Sequence, residues 1–154
     1  MSATISTPAP GRWLGRLLAR RPHQVIGPPE HPYLLRYFVL PHNPVLNVYV
    51  HRFVASDDPD ALHDHPWPFV SLCLAGRYRE VRPGGRVALR RPGTVAVRRA
   101  ATRHRVELLP DNRGGERACW TVLVTGPKVR EWGFWCRDRF VPWTTFDGGC
   151  GEVQ

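Results

Sequence analysis

An all-β fold is what this sequence predicts: a closed or nearly closed antiparallel barrel, with one short helix before it. Three observations lead there. Short runs rich in Val, Leu, Phe, Tyr and Trp recur along the chain, each long enough for a strand and too short for a core helix. Sixteen prolines and 14 glycines among 154 residues cut those runs at close intervals and leave no room for long helices. Hydrophobic residues make up 42% of the chain, enough for one domain of this length to enclose a core.

In chain order, residues 1–10 are small and polar and are expected to be disordered. Residues 11–21 place Trp13, Leu14, Leu17 and Leu18 on one side at helical spacing, with Arg12, Arg16 and Arg20 on the other. That pattern predicts a short amphipathic helix lying on the outside of the barrel or at a dimer contact. Pro22, Pro28, Pro29 and Pro32 then interrupt the chain, so residues 1–30 form an N-terminal arm and the barrel domain spans 31–147. Strands are predicted at 33–40, 46–54, 69–75, 77–82, 86–90, 94–98, 104–109, 118–125 and 132–136. Gly84-Gly85 reads as a hairpin turn, Pro92-Gly93 as a second turn, and 111–115 as a loop. The tail, 148–154, is expected to be flexible.

Composition removes several function classes. The formal charge is +9, but Lys128 is the only lysine and the arginines are spread along the whole chain. Diffuse arginine reflects base composition more than a binding face, so neither nucleic acid nor membrane is expected as a partner. No apolar run is long enough to cross a bilayer, and the N-terminus lacks a secretory pattern, so a cytoplasmic location is the default expectation. Cys73, Cys119, Cys136 and Cys150 form no CxxC pair, and free buried thiols are expected.

The chemistry concentrates in residues 57–76, DDPDALHDHPWPFVSLCLAG. His63 and His65 are two apart, which at a strand end turns both imidazoles to the same side. Two converging neutral imidazoles begin a site for Fe, Zn, Cu, Ni or Mn. His104 supplies a third donor if antiparallel pairing returns the predicted strand at 104–109 beside residues 63–65. His23, His31 and His42 sit near prolines in loops, and His51, mid-strand, is the reserve. Asp64, between the two histidines, should point the opposite way.

These residues resemble the cupin family, whose first motif is G-x5-H-x-H-x3,4-E-x6-G and whose second is G-x5-P-x-G-x2-H-x3-N. The first is matched by His63-x-His65-x3-Phe69-x6-Gly76, and the second by Gly93-x5-Arg99-x-Ala101-x2-His104-x3-Leu108. The resemblance covers roughly residues 46–125. A narrower likeness is to small uncharacterised bacterial and phage cupins with HDHPW and REWGF segments. The resemblance implies a double-stranded β-helix, or jelly-roll barrel, holding one divalent metal on His63, His65 and His104. Four positions depart from the pattern: Asp57 for the opening glycine, Phe69 for the glutamate, Arg99 for the proline and Ala101 for the second glycine. Without the glutamate a three-His face remains. Cupins of that kind include thiol dioxygenases and some diketone-cleaving dioxygenases.

A neutral three-His site leaves the metal its full charge and open positions for an anionic substrate and O2. The reading is therefore a mononuclear non-haem Fe(II) dioxygenase or hydroxylase acting on a small polar or anionic molecule. Zn, Ni or Mn are alternative metals, and a metal-dependent isomerase or lyase and a non-catalytic sensor are alternative functions. Candidate catalytic groups are Glu80, as a remote carboxylate ligand or base, Tyr78, and His51 as a proton relay. Strand parity points Phe69 and Cys73 into the cavity, with Phe69 making one wall apolar. Trp67 is placed at the barrel mouth, and Arg52 and Arg98 are the arginines proposed to hold a substrate carboxylate. A homodimer is expected.

Overall fold

In the computed structural model, residues 12–151 are described. The disorder expected for residues 1–10, the first residue of the predicted helix and the last three residues of the tail lie outside that range. One helix, α1 (Trp13–Leu18), precedes twelve strands. They are β1 (Gln24–Ile26), β2 (Leu34–Phe38), β3 (Asn47–Phe53), β4 (Leu62–His63), β5 (Phe69–Ala75) and β6 (Tyr78–Arg82), followed by β7 (Arg86–Arg90), β8 (Val95–Arg98), β9 (Arg105–Leu108), β10 (Cys119–Thr125), β11 (Gly133–Cys136) and β12 (Arg139–Pro142). Each of the nine predicted strands is present. The three unpredicted ones, β1, β4 and β12, are two to four residues long, and each has a proline within three residues or inside it. Pro carries no N–H for a ladder, so such strands survive at sheet edges, where β1 and β12 are found.

Every pairing is antiparallel. One layer is a six-stranded sheet in the order β1-β2-β3-β10-β5-β8. The facing layer consists of two three-stranded sheets, β12-β11-β4 and β7-β6-β9. They are joined by a single bridge between His63 and His104, whose backbones exchange hydrogen bonds of 2.8 and 2.9 Å. The chain therefore has the two-layered jelly-roll architecture predicted from sequence. Gly84-Gly85 does close a hairpin, β6 to β7, whereas the turn at Pro92-Gly93 carries the chain across, because β7 pairs with β6 and β8 with β5.

Alternation explains the interior. In β5, Phe69, Ser71 and Cys73 are buried while Val70, Leu72 and Leu74 are exposed; in β3, Asn47, Tyr49 and His51 are buried. Three apolar clusters fill the space between layers. One gathers Cys73, Tyr78, Val106, Leu108 and Cys119; the second Phe38, Tyr49, Phe69 and Leu123; the third Ala61, Phe134, Cys136 and Phe146.

Two expectations need correction at the ends. The helix spans six residues, and only Trp13 of its apolar side packs on the core, donating to the Phe38 carbonyl at 2.9 Å. Leu14 and Leu18 are exposed. Cys136 and Cys150 form a disulfide, so the four cysteines are not all free; Cys73 and Cys119 are. The same bond anchors the start of the tail, as does Gly149, which donates to Asp58 at 2.6 Å.

Candidate metal centre

His63, His65 and His104 converge, each offering one ring nitrogen, and those nitrogens lie within 4.8 Å of one another. The fold places them from three local sources. His63 ends β4, His104 faces it across the bridge, and His65 follows in the link to β5, where its N–H binds the Ala100 carbonyl at 3.0 Å. The Nε2 atoms of His65 and His104 are 2.8 Å apart and turn toward the same point.

The far nitrogens fix the rings. His104 Nδ1 lies 3.0 Å from Glu80 Oε1, so the proton sits on Nδ1 and the Nε2 lone pair faces the centre. His63 Nδ1 is 3.5 Å from Asp57 Oδ2. Burial, and then the neighbouring His104, holds His63 well below the usual imidazole range, and burial with the other two histidines does the same for His65. Neutral imidazoles with oriented lone pairs are what a divalent ion requires, so the donor set fits a metal. No carboxylate belongs to the cluster: Phe69 stands where the glutamate of the motif would be and makes an edge contact with His65 at 4.7 Å between ring centroids. Trp67 stacks on the other side of His65, at 5.0 Å.

A cavity of about 130 Å³ opens beside the triad. Phe69, Trp67, Tyr78, His51 and Glu80 line it, as do the three ligand histidines. The remaining predicted contacts are not brought there. Arg52 alternates with the inward His51 and therefore lies on the outer face of its sheet, over the Trp120 ring at 5.4 Å. Arg98 is spent on Glu80, with Nε 2.8 Å from Oε1. Cys73 points inward but lies deeper, its sulfur 3.8 Å from that of Cys119. Glu80 is not free to act as a base or ligand. Burial alone would raise its pKa, but His104, Arg98 and Arg90 together hold its carboxyl far below the usual range. As expected, Asp64 points away, fully buried, accepting from Gly133 N at 3.0 Å and Trp135 Nε1 at 2.9 Å.

Asp57, Arg36 and Thr121 are among the residues of the cavity wall that were not anticipated. Asp57 sits six positions before His63, where the motif has its opening glycine, and that departure was the available signal. Burial raises its pKa to about 6. Arg36 donates through Nε to His51 Nε2 at 2.9 Å and through Nη1 to Gln24 at 3.0 Å.

No family model matches the chain, and no curated protein does. Solved structures do. A double-stranded β-helix protein of Klebsiella pneumoniae superposes with a TM-score of 0.50 at 18% identity, over 66% of this chain and 83% of that one. A candidate mannose-6-phosphate isomerase of Ralstonia eutropha gives 0.52 at 20%, over 65% and 90%. The DMSP lyase DddQ of Ruegeria pomeroyi gives 0.53 at 14%, over 83% and 58%. At these identities what is shared is the fold.

Proposed function

This chain has the double-stranded β-helix fold of the cupins, and from that premise we propose that it is a mononuclear metal-dependent cupin. Its metal would be held by His63, His65 and His104, and we read it as a non-haem Fe(II) dioxygenase or hydroxylase of a small polar or anionic molecule. One observation carries the reading: three imidazoles converge, with carboxylates behind two of them and none among them. The chemistry such a centre supplies is Lewis-acid polarisation of a substrate oxygen and, for Fe(II), activation of O2 with electrons drawn from the substrate.

The protein's own residues do the rest. Glu80 keeps the His104 proton on Nδ1, and Asp57 faces the corresponding nitrogen of His63. Phe69 and Trp67 wall the triad with apolar surface and limit water there. Tyr78 and His51 stand in the cavity wall, where burial raises the phenol pKa and lowers the imidazole pKa, so both are neutral near pH 7. A neutral phenol and imidazole favour the second reading, a metal-dependent isomerase or lyase, since each can pass a proton to a bound substrate. The exposed Val70, Leu72, Leu74, Val95 and Val97, on neighbouring strands β5 and β8, support the expected homodimer.

The test is the metal content of protein purified without a polyhistidine tag, beside His104→Ala. About one iron per chain, lost in the variant, supports the triad, and O2 uptake with a thiol or diketone then supports oxygenation. Zinc, nickel or manganese with O2-independent turnover supports the isomerase or lyase. No metal in either protein after anaerobic Fe(II) loading sinks both.

A further inference from the structure

A polar rung crosses the inner face of the six-stranded sheet at the level of the cavity, apart from the Asn47–Thr125 pair at the sheet's end. The register sets Gln24 opposite Arg36, Arg36 opposite His51, and His51 opposite Thr121, so one residue from each of β1, β2, β3 and β10 falls in line. The rungs on either side are apolar: Phe38, Tyr49 and Leu123 on one, Leu34, Phe53 and Cys119 on the other. Arg36, His51 and Thr121 all line the cavity that holds the triad.

The rung is chemically incomplete. Among the described residues Arg36 is bonded only to neutral partners, His51, Gln24 and the face of the Tyr49 ring at 4.8 Å, and it has no salt bridge. A guanidinium taken from water without a counter-charge is costly. Because Arg36 donates to His51 Nε2, the His51 proton must sit on Nδ1, where it is a donor. Thr121 is 1% exposed and its Oγ1 has no hydrogen-bond partner among the described residues. A half-buried cation on the cavity wall and a buried orphan hydroxyl, with a donor between them, lack an anion that accepts hydrogen bonds.

We infer that Arg36, His51 and Thr121 form an anion subsite for a short monocarboxylate, whose other end faces His63, His65 and His104. A single charge suits one arginine, whereas a phosphate dianion would leave charge uncompensated in a wall that already carries the Asp57 and Glu80 carboxyl groups. The small cavity sets the length of the acid. This inference rests on the triad as the metal end only for the orientation of the substrate; the carboxylate subsite belongs to the protein alone.

The test is isothermal titration of metal-free protein with propionate and pyruvate, with propionamide as the neutral control and inorganic phosphate as the rival anion. Wild type is expected to bind a carboxylate at least about tenfold more tightly than the amide. Arg36→Gln should abolish that preference and Thr121→Val, nearly isosteric, should weaken it several-fold; both should load as much Fe(II) as wild type. If Arg36→Gln fails to fold, Thr121→Val alone decides the question. Equal binding of acid and amide, unchanged affinity in Thr121→Val, or tighter binding of phosphate than of either acid would overturn the subsite. Failure of Fe(II) to load, with the carboxylate preference intact, would instead overturn the metal reading and leave the subsite standing.

Discussion

Glu80 and Asp57 are two buried carboxylates behind two ligand histidines, and their ionisation opposes in sign. Glu80 is held below its ordinary value of 4.5, so at low pH the unfolded chain binds a proton that the folded one resists. Its stabilisation is therefore present above that value and lost as pH falls below it. Glu80→Gln leaves Arg90 and Arg98 without a counter-charge, and the expected loss is about 3–5 kcal/mol at neutral pH. Urea midpoints of the metal-free protein, followed from neutral to acid pH, should fall less steeply in the variant. Asp57 has the raised pKa, about 6. Keeping it ionised costs the folded state at neutral pH, and that cost disappears as pH falls through 6 toward the unfolded value. Asp57→Asn keeps an oxygen for the Val106 N–H and should stabilise the metal-free protein by about 2 kcal/mol above pH 6, while weakening metal binding through His63. Unchanged midpoints would show that the charge is already neutralised. At this scale the sequence was legible in part. The three histidines are set by local spacing, but Arg36 shares a strand whose two faces are both apolar, so nothing in β2 marks it as inward. Arg52 was excludable: it adjoins His51, and neighbours on a strand cannot both point inward.

Elements were more legible than residues, because burial follows the period of two wherever a strand has one wet face. β5 alternates from Phe69 to Leu74, and that alternation carried the placement of Phe69. Strands β1 and β4 were missed because three and two residues are too few to show a period, and β12 because it ends in Pro142, which reads as a break. The motif glycines belong at this scale too, and the structure separates them. Gly76 adopts φ +78° in the turn between β5 and β6, and a Cβ there would lie 2.6 Å from the Ala118 carbonyl oxygen and 2.9 Å from Cys119 Cα. Gly93 adopts φ +87°, yet a Cβ would meet nothing within 4 Å. Gly93→Ala therefore pays only for backbone conformation, about 1 kcal/mol, whereas Gly76→Ala adds a clash with backbone and should cost about 3 kcal/mol or more. Thermal melts of the two variants check the ranking; equal losses would mean that strand β10 yields to admit the methyl.

For the molecule as a whole, the all-β barrel was readable from composition and punctuation, since short apolar runs cut by Pro and Gly have few other ways to bury one face. The disulfide was not, because pairing depends on where β11 and the chain end meet in space. Cys136 and Cys150 are 14 residues apart and close the segment that carries Phe146 onto Phe134, the residue opposite His63 on β11. The bond thus braces the layer that presents one of the ligand histidines. It also bears on location, since a structural disulfide persists in an oxidising compartment and is reduced in an ordinary cytoplasm. Alkylation followed by mass measurement resolves this. The native protein should take up no label, because Cys73 and Cys119 are buried; the unfolded, unreduced protein should take up two labels. Reduction should then expose all four and lower stability by about 3 kcal/mol, the loop-closure value for this separation. Four labels before reduction, in protein taken directly from cells, would mean that the bond does not form there and that the aromatic contacts of the third cluster hold the chain end alone.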